Sequence, residues 1–485
     1  MSVLNILVFH AAVREFARGS SDLSETRSNI RRVTDRVGRR VDITNQFNCG
    51  NGRGCDKSQI TAIAFGGSPM PSKHVSRHWR FLGVLRFAAV LLPALCVLSA
   101  CGGGSSGATM SSTPPPSSTP PPSSTSPTDY ELTYLVSNSS TIPAQHVDSR
   151  LINAWGLAFA PTAYAWVSDA GSNYSSLYDG NGNPPASTSG VPAYVTIPSG
   201  TSGIAGPTGI VYNSSSSGFD ISSGGVSAPA TFLFATLGGA IEGWNETVNA
   251  NSAVVAYNST NGASFTGLTM ATVSGTSYLY AADFKNDAID VFNSSFAPIT
   301  VGGDFFDSAI PSGYAPYNIQ NIPNSSGTPQ LYVTYAQPSS TSPQHVTFGT
   351  GLGYVAVFQW DGTLISTLVS QGALDAPWGL AIAPSNFGSL SGALLVGNLG
   401  NGAINAYNPT TGASMGAMMG SNGQQLFVPG LWGLAFGNGH DSQPTNTLFF
   451  TGGPDTQTAG VFGRIDLPGS YTAPSGSSGS GGGYG

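Results

Sequence analysis

A short apolar strand with a glycine near its start recurs six times along this chain, and no other feature restricts the fold as strongly. The copies are Trp155-Gly156-Leu157-Ala158-Phe159, Thr208-Gly209-Ile210-Val211-Tyr212, Thr266-Gly267-Leu268-Thr269-Met270, Tyr317-Asn318-Ile319, Trp378-Gly379-Leu380-Ala381-Ile382 and Trp432-Gly433-Leu434-Ala435-Phe436. Measured at the glycine, or at Asn318 in the fourth copy, they stand 53, 58, 51, 61 and 54 residues apart. Self-similarity at such a period requires radial or linear repetition.

Each copy is followed by a second strand, such as Trp166-Val167-Ser168 or Leu394-Leu395-Val396, then a polar turn, then a third strand, such as Ile289-Asp290-Val291-Phe292 or Ile404-Asn405-Ala406-Tyr407. Gly238-Gly239, Asn286-Asp287 and Gly400-Asn401 occupy the turns, where tight hairpins need residues that tolerate positive φ. Six four-stranded antiparallel units predict an all-β, six-bladed β-propeller over residues 129–468, whose closure leaves only short protected edges. An open solenoid fits less well, because the units carry variable loops and no separate capping repeats. The strand Leu132-Thr133-Tyr134-Leu135-Val136 precedes the first unit and is placed to complete the last blade.

Composition agrees. Only 8% of the residues are charged, and 64 glycines and 33 prolines oppose long helices; an ordinary soluble domain is about one quarter charged. After Arg86 the chain holds 18 acidic residues against three basic ones, Arg150, Lys285 and Arg464. Such a surface repels phosphate backbones, so no nucleic-acid partner is expected. A monomeric propeller is the expected state.

The four cysteines, Cys49, Cys55, Cys96 and Cys101, all precede the repeats, so the repeat region has neither a disulfide nor a thiolate metal site. Lys73, Arg77, Arg80 and Arg86 precede a 14-residue apolar run, Phe87 to Ala100, that contains Pro93 and is too short to span a bilayer as a helix. It reads as the hydrophobic region of a signal peptide over residues 70–100. Its end, Leu98-Ser99-Ala100-Cys101-Gly102, resembles the lipobox of bacterial lipoproteins, which implies lipidation at Cys101, export, and an anchor in the bacterial cell envelope. Gly102 rather than Asp after the cysteine implies the outer membrane under enteric sorting, and two or three acyl chains hold a stable anchor. Residues 1–69 are Arg-rich and share no composition with the rest of the chain; initiation at Met70 would put Cys101 at the usual distance from a start. From Gly102 to Thr128, 14 Ser or Thr, 7 Pro and 4 Gly among 27 residues read as a disordered tether. The Gly/Ser-rich stretch 469–485 reads as a disordered tail.

The phrases Leu279-Tyr280-Ala281-Ala282-Asp283-Phe284-Lys285-Asn286 and Ala288-Ile289-Asp290-Val291-Phe292 resemble six-bladed propellers of the NHL-repeat and gluconolactonase type. More closely, Asn153-Ala154-Trp155-Gly156-Leu157-Ala158, Tyr314-Ala315-Pro316-Tyr317-Asn318-Ile319-Gln320 and Ala376-Pro377-Trp378-Gly379-Leu380-Ala381 look like a family of uncharacterised exported bacterial propellers, over nearly all of residues 131–467. That resemblance implies a place on the envelope and brings no activity with it.

Two sets of residues are candidates for chemistry. Asp169, Asp283 and Asn398 end the second strand of alternate units, with Thr236, Thr334 and Thr451 between them. Oxygens from alternate blades could converge on Ca²⁺, which takes six to eight of them; the plainer reading is that each caps its own hairpin. Trp155, Tyr317, Trp378 and Trp432 precede the innermost strands at equivalent positions and could form a stacking platform for a glycan or aromatic ligand, or wedge between blades. His146, His345 and His440 are isolated, and no H-E-x-x-H motif exists. The expected function is a lipid-anchored binding scaffold for a protein or glycan. The alternative is a metal-dependent lactonase or hydrolase of gluconolactonase type, whose Glu, Asn and Asp motifs are not matched here residue by residue.

Overall fold

The computed structural model describes residues 129–341 and 345–474 in full, and the backbone of the segments 29–34, 40–48 and 56–64. Those three segments pair as an antiparallel meander, Asn29–Thr34 with Arg40–Asn48 and Arg40–Asn48 with Asp56–Ala64. Cys101, the apolar run before it, the tether and residues 475–485 lie outside the described residues.

From Glu131 onward the chain is a six-bladed β-propeller. Blade one is built from Ala154–Phe159, Ala165–Asp169, Tyr174–Tyr178 and Tyr194–Thr196, in that order from the axis outward. Blade two follows as Pro207–Tyr212, Phe232–Thr236, Ala240–Trp244 and Val254–Asn258, and blade three as Phe265–Val273, Thr276–Asp283, Ala288–Phe292 and Pro298–Ile299. Ala315–Asn321, Gln330–Ala336, Tyr354–Gln359 and Leu364–Ser370 form blade four; Pro377–Ile382, Leu394–Asn398, Ile404–Tyr407 and Ser414–Ala417 form blade five. Blade six takes Leu431–Phe436, Leu448–Gly452 and Val461–Asp466, and its outer strand is Glu131–Ser137, paired antiparallel with Ile465 opposite Leu132 and Phe462 opposite Val136. The ring is therefore closed by the strand that precedes the first unit, as the sequence predicts. Two additions have no counterpart in the repeat: a hairpin, Asp220–Ser223 with Val226–Pro229, within blade two, and His146–Val147 running parallel to the closing strand.

The recurring glycine has a steric cause. A Cβ at Gly379 would lie 2.5 Å from the Trp432 carbonyl oxygen, and one at Gly433 would lie 2.9 Å from the Trp155 carbonyl oxygen. Each inner-strand glycine thus faces the backbone of the next inner strand around the ring. In blade four Asn318 makes that contact with its side chain, its Nδ2 donating to the Trp378 carbonyl at 2.8 Å. We expect Gly379→Ala to lower stability by about 3 kcal/mol, the upper range for overpacking, measured by urea unfolding against wild type.

A second periodic feature is the backbone three residues before the recurring glycine. Asn153, Gly206, Ala376 and Gly430 all have positive φ, between 48° and 66°, turning the chain from one blade into the next. Gly and Asn adopt this conformation most easily. The core is divided accordingly: apolar clusters fill the spaces between adjacent blades, and one further cluster fills the axis.

Candidate functional site

The upper rim carries the connections between blades and the turns from second to third strands, so the four inner-strand aromatics begin beside it. Tyr317, Trp378, Trp155 and Trp432 are all buried, and they meet one another. Trp155 stacks on Trp432 with centroids 3.5 Å apart and planes 17° from parallel. Trp378 presents its edge to both, at 6.4 and 5.9 Å, and Tyr317 leans on Trp432 at 5.9 Å. Trp378 of blade five donates its indole N–H across the axis to the Thr266 carbonyl of blade three, at 2.9 Å. Trp432 donates to Asn153 Oδ1 at 2.9 Å. Phe284, Leu399 and the half-buried Leu237, each one residue past a second strand, complete the plug. The four aromatics therefore come together, as the fill of the central channel.

The rim residues are also buried, and each makes a hydrogen bond within or beside its own blade, while Asp169 Oδ1 and Asn398 Oδ1 have no partner among the described residues. Asp169 accepts from Ser176 Oγ at 2.6 Å. Asp283 accepts from the backbone of Ser264 and Asn286 and from Asn286 Nδ2. Asn398 donates to the Ala373 carbonyl and to Asn401 Oδ1. Thr236 accepts from the Ala240 amide, whereas Thr334 and Thr451 accept from the inner-strand amides of Asn318 and Gly433. No hydrogen bond links Asp169, Asp283 and Asn398. Among the described residues no group of three or more His, Cys, Asp or Glu is gathered for a metal. We therefore expect the melting temperature to be the same with Ca²⁺ and with chelator, and Asp283→Ala to cost about 1–3 kcal/mol in either condition, the cost of orphaned buried donors. A calcium-dependent rise lost in Asp169→Ala, Asp283→Ala and Asn398→Ala would restore the shared site.

Sequence reasoning passed over a polar cluster beside Asp169. Asp148 holds Arg150 through a 3.3 Å ion pair and accepts from the Tyr178 hydroxyl at 3.1 Å, while Arg150 lies over the Tyr194 ring at 4.3 Å. Burial pushes the Asp169 carboxyl well above the usual carboxylate range, and the neighbouring Asp148 adds to the shift. The available signal was the rarity of Arg150 and the carboxylate two positions before it. Arg464 shows the same spacing in reverse, with Asp466 two positions after it. Exposed apolar side chains also mark the rim: Ile204 and Phe427, on the connections out of blades one and five, are 51% and 61% exposed, and Phe348, between the second and third strands of blade four, is 53% exposed.

These features define a six-bladed propeller closed by its N-terminal strand, with an aromatic plug at its axis. No family model matches the chain. Uncharacterized protein R648 of Acanthamoeba polyphaga mimivirus is 32% identical over 345 residues, covering 70% of this chain and 80% of the viral protein. Uncharacterized protein L690 of the same virus is 30% identical over 343 residues, covering 69% and 85%. The chain belongs to the family of these proteins. Among solved structures, the soluble aldose sugar dehydrogenase of Escherichia coli is similar at 13% identity and a TM-score of 0.41, over 70% of this chain and 99% of that one. A calcium-binding protein, regucalcin, from Agrobacterium tumefaciens gives 13% and 0.38, over 66% and 91%. Likenesses of this degree carry no argument about chemistry.

Proposed function

We propose that this protein is a binding scaffold of the bacterial cell envelope, anchored by lipid at Cys101 and engaging a protein or glycan through its upper rim. The observation that carries this reading is the aromatic plug. An axis filled by Trp155, Tyr317, Trp378 and Trp432 offers no deep funnel for a substrate, whereas Ile204, Phe348 and Phe427 stand out on rim connections where a partner can cover them. The acidic balance favours a neutral or basic partner. The lipobox pattern supports the anchor, and the Ser/Thr/Pro-rich stretch is long enough to hold the rim away from the membrane.

Two measurements test the parts separately. Mass spectrometry of the native N-terminus should find a diacylated Cys101, and Cys101→Ala should leave the membrane fraction; peptides from residues 1–60 in the mature protein would overturn the anchor. A glycan array and a peptide library should return a ligand whose binding falls at least tenfold in Phe348→Ser or Phe427→Ser with melting unchanged. Equal binding by both variants would remove the rim from the proposal. The lactonase reading gains ground only if a lactone or ester screen detects turnover that a chelator abolishes.

A further inference from the structure

Blades one and two pack through Trp166, which lies against Phe232 and Trp244 at centroid separations of 4.3 and 4.7 Å. Two residues further along each strand toward the upper rim, the same faces change character. Blade one presents Ser168 and, directly opposite it on the third strand, Ser175. Blade two presents Glu242, opposite Phe234. All three are fully buried. Ser168 Oγ, Ser175 Oγ and both carboxyl oxygens of Glu242 have no hydrogen-bond partner among the described residues. A buried carboxylate in such a place needs a counter-charge or a proton.

No counter-charge among the described residues reaches it. The three cations after Arg86 are engaged elsewhere, Arg150 with Asp148, Lys285 with the Gly262 carbonyl and Arg464 with Asp466. The other buried side chains that the strands of this seam contribute are apolar: Ala158, Leu177, Val195, Ile210, Phe234 and Trp244. Its titratable members are the half-buried phenols Tyr164 and Tyr212, and Tyr212 packs on Phe232 at the level below Glu242.

We propose that Glu242 is the neutral acid of a proton-dependent joint between blades one and two, held without a counter-charge on the buried face of the seam, and that loss of its proton to solvent loosens the seam. Burial pushes the Glu242 carboxyl up to about 8 from an ordinary 4.5. The unfolded chain gives up its proton near the ordinary value while the folded chain keeps it, so the stability held below pH 4.5 is lost progressively as pH rises toward 8 and stays lost above it. Asp169 and Asp290 are raised by burial as well, so the informative quantity is a difference between variants.

The test is urea unfolding of the full-length protein and Glu242→Gln from pH 5 to pH 8.5. The wild-type unfolding constant should rise about 600-fold relative to that of the variant over this range. Parallel curves would overturn the proposal, and so would Na⁺ or Ca²⁺ stabilisation at pH 8 that Glu242→Gln abolishes, since a cation would then replace the proton. Infrared spectra give a readout in the folded state: a protonated carboxyl band at pH 7 that is absent in Glu242→Gln and fades in the wild type as pH is raised through about 8. Absence at pH 7 of a band that Glu242→Gln removes would also overturn it.

Discussion

We expect Asp466→Ala to lower the stability of the propeller by about 3–5 kcal/mol, the loss that follows when one partner of a buried ion pair is removed and the other is left charged. Arg464 and Asp466 lie two residues apart on the third strand of blade six, so they share a face, and both are almost wholly buried. The guanidinium donates to both carboxyl oxygens, at 2.6 and 2.7 Å, and also to the Gly180 carbonyl of blade one and to Thr447 Oγ1. Thr447 in turn donates to Asp466 at 2.6 Å, and the Tyr471 ring lies 3.9 Å from the guanidinium carbon. Nothing else in that network carries negative charge, so the alanine variant strands a cation. Replacing both members by apolar residues of matching volume is expected to recover most of the loss. Urea unfolding of the single and double variants at pH 7 checks both outcomes; a loss under about 1 kcal/mol in Asp466→Ala would show that the arginine finds another partner or water.

Trp432→Ala is expected to cost a similar amount, about 3–5 kcal/mol, as for other large-to-small changes in a core. Trp432 is fully buried at the centre of the plug, stacked on Trp155 and edge-on to Trp378, and its removal also leaves Asn153 Oδ1 without its donor. Blades one, four, five and six all lose contacts at once, so the loss should appear as a lower midpoint with the transition still single. This result separates structure from recognition. A ligand platform would lose binding while keeping its melting temperature; a plug loses stability first. Unchanged melting in Trp432→Ala would return the four aromatics to the set of candidate ligand contacts.

The sequence carried the fold because a propeller repeats its constraint six times. Where an inner strand passes the next, a side chain at the Gly379 or Gly433 position meets backbone, so a glycine, or in blade four an asparagine that bonds the next strand, recurs at that spacing. The closing strand was legible for a related reason: Leu132-Thr133-Tyr134-Leu135-Val136 is an apolar strand standing before the first complete unit, while the last unit lacked an outer strand. The hairpin of Asp220–Ser223 with Val226–Pro229 was not legible, since it occurs once and its polar alternation resembles a long loop.

For the candidate site the balance reverses. Residue types and periodicity placed Trp155, Tyr317, Trp378 and Trp432 at the inner-strand starts and Asp169, Asp283 and Asn398 at the ends of second strands. They left open whether the first set opens toward a ligand and whether the second set converges. Those are questions of radius. In a ring of six blades the inner strands stand close enough for three indoles and a phenol to meet at the axis, while each rim carboxylate or amide reaches a hydrogen-bond partner in its own hairpin first. The burial of Glu242 in the seam between blades one and two was likewise invisible, because it depends on which faces of two separate blades are pressed together, and that is settled only when the ring closes. By itself, then, the sequence determined the number of blades, the strand order and the closure, all of them local patterns repeated in register; tertiary structure alone decided what faces what across the axis and the seams, because those distances are set by the curvature of the assembled ring.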